Sequence, residues 1–228
     1  GWDEILEGGL APGATVQSWR GMEGAIAAAT AGHDVIASPT SHCYLDYPHV
    51  KDPTYPQWMG VTSLEQTYSF EPTPAQLTPQ QARHILGAEV NMWTEHAPQK
   101  RIDHQVFPRL CALAEVTWSP KEARNWPDFS RRMDTHYRRL DSLYVKYYVA
   151  HPEFVSTPGP FRDTITIELT NPSGDGEIRY TIDGTDPLMS SLLYAGPIER
   201  NRTTTIKARV YWGERNSSDV VEGKFTRE

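Results

Sequence analysis

Residues 85–95 read ILGAEVNMWTE, and this stretch carries the strongest prediction of the fold. Residues 85–90 are mostly apolar and predict a buried strand. The strand is followed by Trp93 and Glu95, an aromatic side chain and a carboxylate. In α/β barrels, pockets are built from side chains that follow the carboxyl ends of parallel strands. The stretch therefore predicts a parallel sheet with a sugar-binding pocket at its carboxyl edge.

Two upstream stretches have the same form. Residues 14–19 (ATVQSW) end on Trp19, and residues 34–46 (DVIASPTSHCYLD) end on Tyr44 and Asp46. Tyr44 and Asp46 are two positions apart, so both side chains point to one side of a locally extended chain. A phenol donor and a carboxylate acceptor can hold a polar group from two directions. We expect the three strand ends to converge on one bound saccharide.

The segments between these strands predict helices, which makes the fold α/β with a parallel sheet. Helices are expected over residues 22–31, from Thr78 (TPQQ, an N-cap signal), over residues 103–116 and over residues 126–148. The second-last of these contains Pro108, which is expected to kink it. Residues 1–10 are interpreted as a strand end running into a loop, and residues 39–73 as a long loop.

The pattern changes after residue 150. A Pro-rich connector precedes segments of alternating apolar and polar residues at 164–169, 177–182, 204–211 and 220–225, with a turn signal at Asp183-Gly184. Several short strands separated by turns predict a small antiparallel β-sandwich. We therefore divide the chain into residues 1–150, part of an α/β barrel, and residues 151–228, an immunoglobulin-like accessory domain.

The number of strands is too small for a closed barrel. A (β/α)8 barrel needs eight strands and typically about 250 residues. Residues 1–150 supply three strands and the end of a fourth, and the opening Gly1-Trp2-Asp3-Glu4 is abrupt. Three parallel strands alone would leave two open edges. We expect the sheet to be completed by sequence that is absent here.

Composition excludes several classes of protein. No run of 18 apolar residues is present, which argues against a membrane-spanning helix. The net charge of −7 argues against a nucleic-acid partner. No Cys/His cluster has the spacing of a zinc site, so we expect no metal and no cofactor. Cys43 and Cys111 are interpreted as free thiols, although a disulfide stays open.

Each candidate site residue also has a structural interpretation. Trp2, Trp19 and Trp93 either pack in the core or form a cage of indole faces around an apolar group of the ligand, such as an N-acetyl methyl group. Tyr44 and Asp46 either bind ligand or anchor a loop. Glu95 either accepts sugar hydroxyls or forms a structural ion pair with Arg20 or Arg101. For His42, His96 and His104 the structural interpretation is favoured.

Four motifs resemble one family of enzymes. GWDE at 1–4, VQSWRG at 16–21, SHCYLDY at 41–47 and GAEVNMWTEH at 87–96 resemble the C-terminal half of the family 20 glycoside hydrolases, the β-N-acetylhexosaminidases. FPRLCALAEVTWS at 107–119 is similar to the last barrel helix of that family. YTIDGTDP at 180–187, TTTIKARVY at 203–211 and VVEGKF at 220–225 resemble the C-terminal β-sandwich of its chitobiase-like members.

The resemblance implies the C-terminal part of a (β/α)8 barrel, from the end of strand five through helix eight. It implies hydrolysis of a terminal non-reducing N-acetyl-hexosamine with retention, in which the substrate's own N-acetyl oxygen is the nucleophile. In that family an Asp-Glu pair after strand four supplies the general acid. That pair is absent from this sequence, and Asp3-Glu4 is a different pair, one strand later.

The resemblance also assigns roles at the pocket. Trp2, Trp19 and Trp93 match the walls of the N-acetyl pocket, and Tyr44 matches the donor to the amide oxygen. It names Tyr44 as the one residue of this chain that takes part directly in catalysis.

Three further positions complete the expected site. Asp46 and Glu95 match residues that bind the outer sugar hydroxyls, and Trp58 matches a loop tryptophan near the +1 subsite. The implied partners are N-acetyl-hexosamine glycans or chitooligosaccharides and the other half of the barrel, in a periplasmic or extracellular protein. The alternative is a catalytically inactive carbohydrate-binding or structural fragment. The choice between GlcNAc and GalNAc stays open.

Overall fold

The structure is a computed structural model that describes residues 1–52, 54–172, 174, 176–213 and 215–228. It forms two units, Gly1–Tyr147 and Tyr148–Glu228. The first contains strands Val16–Ser18 (β1), Val35–Ala37 (β2) and Ile85–Ala88 (β3), helices Glu23–Thr30 (α1), Thr40–Cys43 (α2), Leu64–Tyr68 (α3), Pro79–Ala82 (α4), Ile102–Val106 (α5), Arg109–Trp118 (α6) and Trp126–Ser142 (α7), and 3-10 helices Asp3–Gly8, Gln99–Arg101 and Lys121–Ala123. Within the described residues of the chain, no helix is long and apolar enough to cross a membrane.

The three strands of the first unit form a parallel sheet in the order β1-β2-β3. Trp2 forms a parallel bridge with Gln17 of β1, and so adds one paired residue to the sheet at the edge next to β1. Parallel pairing brings the carboxyl ends of the strands to one edge. The predicted parallel α/β arrangement is confirmed, and the described strands do not close into a barrel.

Helix α1 covers one face of this sheet. Its Ala25, Ala28 and Ala29 are buried against Val16 and Val35. Alanine side chains are small, so the helix backbone can lie close to the strands. The apolar strand residues are thereby removed from water, which is the main stabilising contribution to such a layer.

The helix predicted over residues 103–116 is two helices. Helix α5 ends at Val106, the chain is extended at Phe107, and α6 starts after Pro108. Proline has no backbone N–H to continue the hydrogen-bond ladder, which explains why the chain breaks there instead of kinking. The helical spacing of Val106, Leu110, Leu113 and Ala114 predicts that these residues form the buried face, but in α6 Arg109 is buried and Ala114 is exposed.

Other boundaries also differ from prediction. Residues 3–8 form a 3-10 helix where a loop was expected, and the predicted loop of residues 39–73 contains α2 and α3. Helix α7 ends at Ser142, six residues before the predicted boundary, and Tyr144 has a positive φ of 60°. The N-cap predicted at Thr78 is confirmed, because its side chain and that of Gln81 form a reciprocal capping box.

The second unit is built from short strands. They are Glu153–Phe154 (β4), Gly159–Phe161 (β5), Ile165–Ile167 (β6), Leu169–Thr170 (β7), Glu177–Thr181 (β8), Leu192–Leu193 (β9), Ile198–Arg200 (β10), Thr204–Trp212 (β11), Asn216–Ser217 (β12) and Val221–Arg227 (β13). The main sheet has the order β5-β13-β11-β8-β9, with β12 paired to β11, and β10-β6 and β4-β7 form two small ladders. The pair β13-β5 is parallel, so the prediction of a purely antiparallel unit was wrong at that edge.

The core of the second unit follows the predicted alternation. Along β11 the residues Thr204, Ile206, Ala208 and Val210 are buried and those between them are less so. Ile206 packs with Phe225 and other apolar side chains in one cluster. Cys43 and Cys111, both in the first unit, are free thiols, as interpreted from the sequence.

Candidate saccharide-binding site

A cavity of about 430 Å³ opens among side chains that follow the carboxyl ends of the three parallel strands. This volume lies within the usual range for small-molecule sites. All seven site residues predicted from the sequence line it, namely Trp2, Trp19, Tyr44, Asp46, Trp58, Trp93 and Glu95. The structure therefore brings the predicted residues together, although they span more than 90 positions of the chain.

Aromatic rings form one continuous wall of the cavity. Trp2 lies between Trp93, at a centroid distance of 6.1 Å, and Trp19, at 6.4 Å. Trp19 in turn stacks on Tyr44, with centroids 6.4 Å apart and planes inclined by 30°. Indole faces arranged in this way offer an apolar surface to C–H groups or to a methyl group.

Backbone pairing fixes where these rings stand. The Trp19 carbonyl accepts a hydrogen bond from the Thr40 N–H at 2.9 Å, which ties the end of β1 to the start of α2. The Leu45 N–H donates to the Asn91 carbonyl at 2.8 Å, and the Asn91 N–H donates to the Cys43 carbonyl at 2.8 Å. These bonds continue the sheet beyond β2 and β3 and hold Tyr44 beside the segment that carries Trp93.

The orientation of Trp19 depends on an acidic neighbour. Its indole N–H donates to both carboxylate oxygens of Glu4 at 3.2 Å, and Glu4 pairs with Arg20 at 2.8 Å. The hydrogen bond from Arg20 holds the pKa of Glu4 below its usual value. Arg20 was considered as a structural partner for Glu95, but its ion pairs are with Glu4, Asp3 and Glu7.

Tyr44 is placed to act as a hydrogen-bond donor. Its side chain is 7% exposed, and this burial raises the pKa of the phenol to about 12, partly offset by a hydrogen bond from the Trp93 side chain. At neutral pH the hydroxyl therefore keeps its proton. It can donate to a carbonyl oxygen placed between the tryptophan rings.

Asp46 has an unusual environment for a carboxylate. It is 4% exposed, and its Oδ1 atom has no hydrogen-bond partner among the described residues. Burial raises its pKa to about 6, and the nearby Glu95 acts in the same direction, whereas backbone hydrogen bonds and the charge of Arg109 lower it. Since buried polar atoms are nearly always paired, an orphan carboxylate oxygen on a residue that lines a cavity makes Asp46 a candidate ligand-binding group.

The outer part of the cavity is more open. Trp58 is 69% exposed and lies edge-on to Tyr47, at a centroid distance of 6.4 Å, and to His96, at 6.3 Å. Glu95 is exposed at the same rim. This rim can contact the outer hydroxyls of a sugar and the group attached to it.

Five lining residues were not among the predicted site residues: Glu4, Thr40, Tyr47, Met59 and His96. Tyr47 directly follows the predicted Tyr44 and Asp46, so its position was a usable signal. His96 follows Glu95, but a single histidine is not specific enough to assign. Met59 and Thr40 lie in the predicted loop and carry no pattern that distinguishes them.

The aromatic residues of the second unit are arranged differently. Tyr180 and Tyr194 stand nearly perpendicular, with planes inclined by 81°. The Tyr194 hydroxyl accepts from the Leu169 N–H at 3.0 Å, and the Tyr211 hydroxyl donates to the Pro187 carbonyl at 3.0 Å. These rings stabilise the fold of the unit and do not form a flat binding platform.

A parallel α/β layer with a pocket at the carboxyl ends of its strands is the arrangement found in enzymes built on a (β/α) barrel. Comparison with known families gives a finer assignment. The catalytic domain of glycosyl hydrolase family 20 matches residues 1–121, and the chitobiase/beta-hexosaminidase C-terminal domain matches residues 156–222. The chain belongs to glycosyl hydrolase family 20.

Individual relatives agree with this assignment. A beta-hexosaminidase of Porphyromonas gingivalis is 43% identical over 92% of this chain and 28% of its own length. A beta-N-acetylhexosaminidase of Cellulomonas fimi is 35% identical over 70% of this chain and 33% of its own length. The chain thus spans about a third or less of these relatives.

Solved structures agree as well. The family 20 β-N-acetylhexosaminidase of Streptomyces coelicolor has a TM-score of 0.58 and 29% identity, over 66% of this chain and 32% of that one. A family 20 exo-β-N-acetylglucosaminidase of Vibrio harveyi, solved with N-acetylglucosamine, has a TM-score of 0.58 and 32% identity, over 64% of this chain and 24% of that one. The fold is therefore the C-terminal part of a family 20 barrel followed by a β-sandwich.

Proposed function

We propose that this chain supplies the sugar-binding half of the active site of a β-N-acetylhexosaminidase. In the full-length protein, the site removes a terminal non-reducing N-acetyl-hexosamine from a glycan or chitooligosaccharide with retention. The observation that carries the proposal is one cavity that is lined together by three tryptophan rings, the Tyr44 phenol and the Asp46 side chain. The names of the relatives point to the same substrate class.

Each group has a role in this reaction. Trp2, Trp19 and Trp93 enclose the acetamido methyl group, and the Tyr44 hydroxyl donates to the acetamide oxygen. That oxygen attacks the anomeric carbon, which forms an oxazolinium ring as the bond to the leaving group breaks. Tyr44 holds the oxygen in line for attack, and such positioning of a nucleophile is a large part of catalysis.

Two carboxylates hold the rest of the sugar. Asp46 and Glu95 accept hydrogen bonds from ring hydroxyls, which fixes the sugar against the tryptophan wall. Glu4 is not proposed as the proton donor, because its low pKa and its contacts with Trp19 and Arg20 suit a positioning group. The proton for the leaving group comes from a residue outside this chain. As further proposals, residues 1–150 and 151–228 are the two functional domains, and the protein acts in the periplasm or outside the cell.

Activity measurements test whether the proton donor lies outside this chain. The purified 228-residue chain is expected not to hydrolyse an aryl N-acetyl-β-glucosaminide, whereas the full-length protein hydrolyses it. Turnover by the 228-residue chain that disappears in Glu95→Gln would contradict the proposal, since the chain would then contain its own acid. An inactive full-length protein that still binds N-acetylglucosamine would support the alternative of a carbohydrate-binding fragment.

Sugar binding is expected to depend on the charge of Asp46. With a pKa of about 6, the carboxylate is mostly ionised at pH 7 and mostly protonated at pH 5, where it loses acceptor capacity. The affinity of the full-length protein for N-acetylglucosamine should fall by up to about tenfold between these pH values. Titration of tryptophan fluorescence measures it, and Asp46→Asn should bind weakly with no step near pH 6.

Asp46 has the opposite effect on the stability of the ligand-free protein. Its folded pKa lies above the ordinary aspartate value of 3.8, so the native state binds the proton more tightly than the unfolded state does. The contribution is present at low pH and is lost as the pH rises through about 6. Asp46→Asn should therefore remove a decline in the urea midpoint between pH 4 and pH 7, and an unchanged decline would assign it to other groups.

A further inference from the structure

Arg109 is the largest fully buried side chain described, and it lies at the start of α6 beneath the pocket. It is 0% exposed and does not line the cavity. Its guanidinium donates hydrogen bonds to four backbone carbonyls, which belong to Leu45, Tyr47, Thr62 and Gln105. A buried arginine that bonds main-chain carbonyls on separate segments fixes the course of the backbone.

Two of the four carbonyls that it binds, those of Leu45 and Tyr47, belong to the pocket segment, which we define as residues 44–49. Arg109 Nη2 lies 2.7 Å from the Leu45 oxygen, and Nη1 lies 2.8 Å from the Tyr47 oxygen. The carbonyl between them, that of Asp46, accepts from Gln105 Nε2 at 3.1 Å. Three consecutive carbonyls are thus held from one side, while the Tyr44 and Asp46 side chains face the cavity.

The same guanidinium also binds the backbone at Thr62, in the long connection between β2 and β3. Nη1 donates to the Thr62 oxygen at 2.7 Å, and the Thr62 N–H donates to the Pro48 oxygen at 3.0 Å. Thr62 and Pro48 are therefore held close together, and Met59 and Trp58 lie between them in the sequence. Arginine suits this task because it has five donors in a rigid plane, whereas lysine has three donors on one atom.

We propose, resting on the function proposed above, that Arg109 is the positioning residue of the sugar pocket and that Gln105 assists it. Arg109 acts through the backbone of the pocket segment and places Tyr44 and Asp46 without touching the sugar. An error of about 1 Å in such groups can lower turnover about 100-fold. Sequence periodicity does not reveal this role, because it counts apolar positions and ignores a buried arginine.

Three variants of the full-length protein test the proposal. Arg109→Lys keeps the charge but loses the planar set of donors. Gln105→Met removes the single hydrogen bond from the Gln105 amide to the Asp46 carbonyl. Arg124→Lys is the matched control, since Arg124 has a side chain that is 9% exposed, donates to the Phe70 carbonyl at 2.9 Å and does not line the pocket. All three are compared by melting temperature and by kcat and KM on an aryl N-acetyl-β-glucosaminide.

A structural defect and a positioning defect give different kinetics. Loss of folded protein lowers the apparent kcat and leaves KM unchanged. Arg109→Lys is expected to lower kcat/KM by about 100-fold with a raised KM, and Gln105→Met to raise KM several-fold. Arg124→Lys should leave KM unchanged, even where its melting temperature falls as much as that of Arg109→Lys. An unchanged KM in both Arg109→Lys and Gln105→Met would overturn the proposal.

Hydrogen exchange gives a readout that does not require activity. In Arg109→Lys, amide exchange in the pocket segment and at Thr62 should be at least about tenfold faster. In the wild type each charge-assisted hydrogen bond from Arg109 stabilises the closed state of the backbone, and the variant loses these bonds. Strand β1 and the control Arg124→Lys should show no such change in these amides. Unchanged exchange would refute the role of Arg109, whereas an inactive wild-type full-length protein would refute the proposed function alone.

Discussion

Tyr44→Phe in the full-length protein is expected to lower kcat for an aryl N-acetyl-β-glucosaminide by about 10- to 1,000-fold, with an upper limit equal to the largest loss found when one donor to a reacting oxygen is removed. The phenol is buried, and its pKa of about 12 keeps it protonated at neutral pH, so the wild-type residue donates throughout the cycle. The phenylalanine ring keeps the stack on Trp19, whose centroid is 6.4 Å away. The substitution therefore removes the hydroxyl donor and leaves the aromatic wall of the cavity in place.

The matched control is Tyr144→Phe, which removes a hydroxyl from an exposed tyrosine that does not line the cavity. Its kcat and KM should equal those of the wild type. If Tyr44→Phe also kept the wild-type kcat, the acetamide oxygen would not be held by this phenol. A rise in KM alone would mean that Tyr44 binds substrate and transition state equally.

Phe225→Ala is expected to destabilise the second unit by about 3–5 kcal/mol, the usual cost of deleting a buried phenylalanine. Phe225 is 0% exposed and packs in a cluster with Phe161, Ile167 and Ile206. Its ring centroid is 5.7 Å from that of Phe154. Such a loss is a large fraction of the total stability of a small domain.

Hydrogen exchange separates the two units in this experiment. Amides of β11 and β13 should lose protection in Phe225→Ala, whereas those of β1, β2 and β3 report on the other unit. The control Leu193→Ala removes an exposed side chain on β9 and should leave the exchange of β11 nearly unchanged. Equal protection of β11 in Phe225→Ala and the wild type would mean that the ring does not stabilise this sheet.

The positions of the site residues could be predicted because they follow a simple rule. Trp19, Tyr44 and Trp93 each follow a short predicted strand, and parallel pairing brings the carboxyl ends of such strands to one edge. The roles proposed for these residues came from the resemblance to a known family.

The short helices could not be predicted from propensity. Helix α3, Leu64–Tyr68, has five residues and is too short to be stable alone. Tertiary contacts stabilise it, such as the stack of Tyr68 on Phe129 at 4.6 Å. Its N-cap, Ser63, accepts from the Gln66 N–H, and the Ser-x-x-Gln pattern was a readable signal within the predicted loop.

The buried polar contacts were the least predictable part. Arg109 occupies a position that a binary pattern assigns to the surface, and three of its four acceptors are carbonyls 47 to 64 residues away. Likewise, no pattern in the sequence links Trp19 to Glu4, which accepts a hydrogen bond from its indole N–H. Hydrogen bonds of this kind depend on the tertiary path of the backbone, which residue types alone do not specify.

The most direct test of the central claim compares two substrates on the full-length protein. One is an aryl N-acetyl-β-glucosaminide, and the other is the aryl β-glucoside, which lacks the acetamido group. If the tryptophan wall and Tyr44 hold the acetamide as the nucleophile, the first should be hydrolysed and the second should show no turnover above background. Similar turnover of both would contradict the account, because the reaction would then need no acetamide and the pocket would have another role.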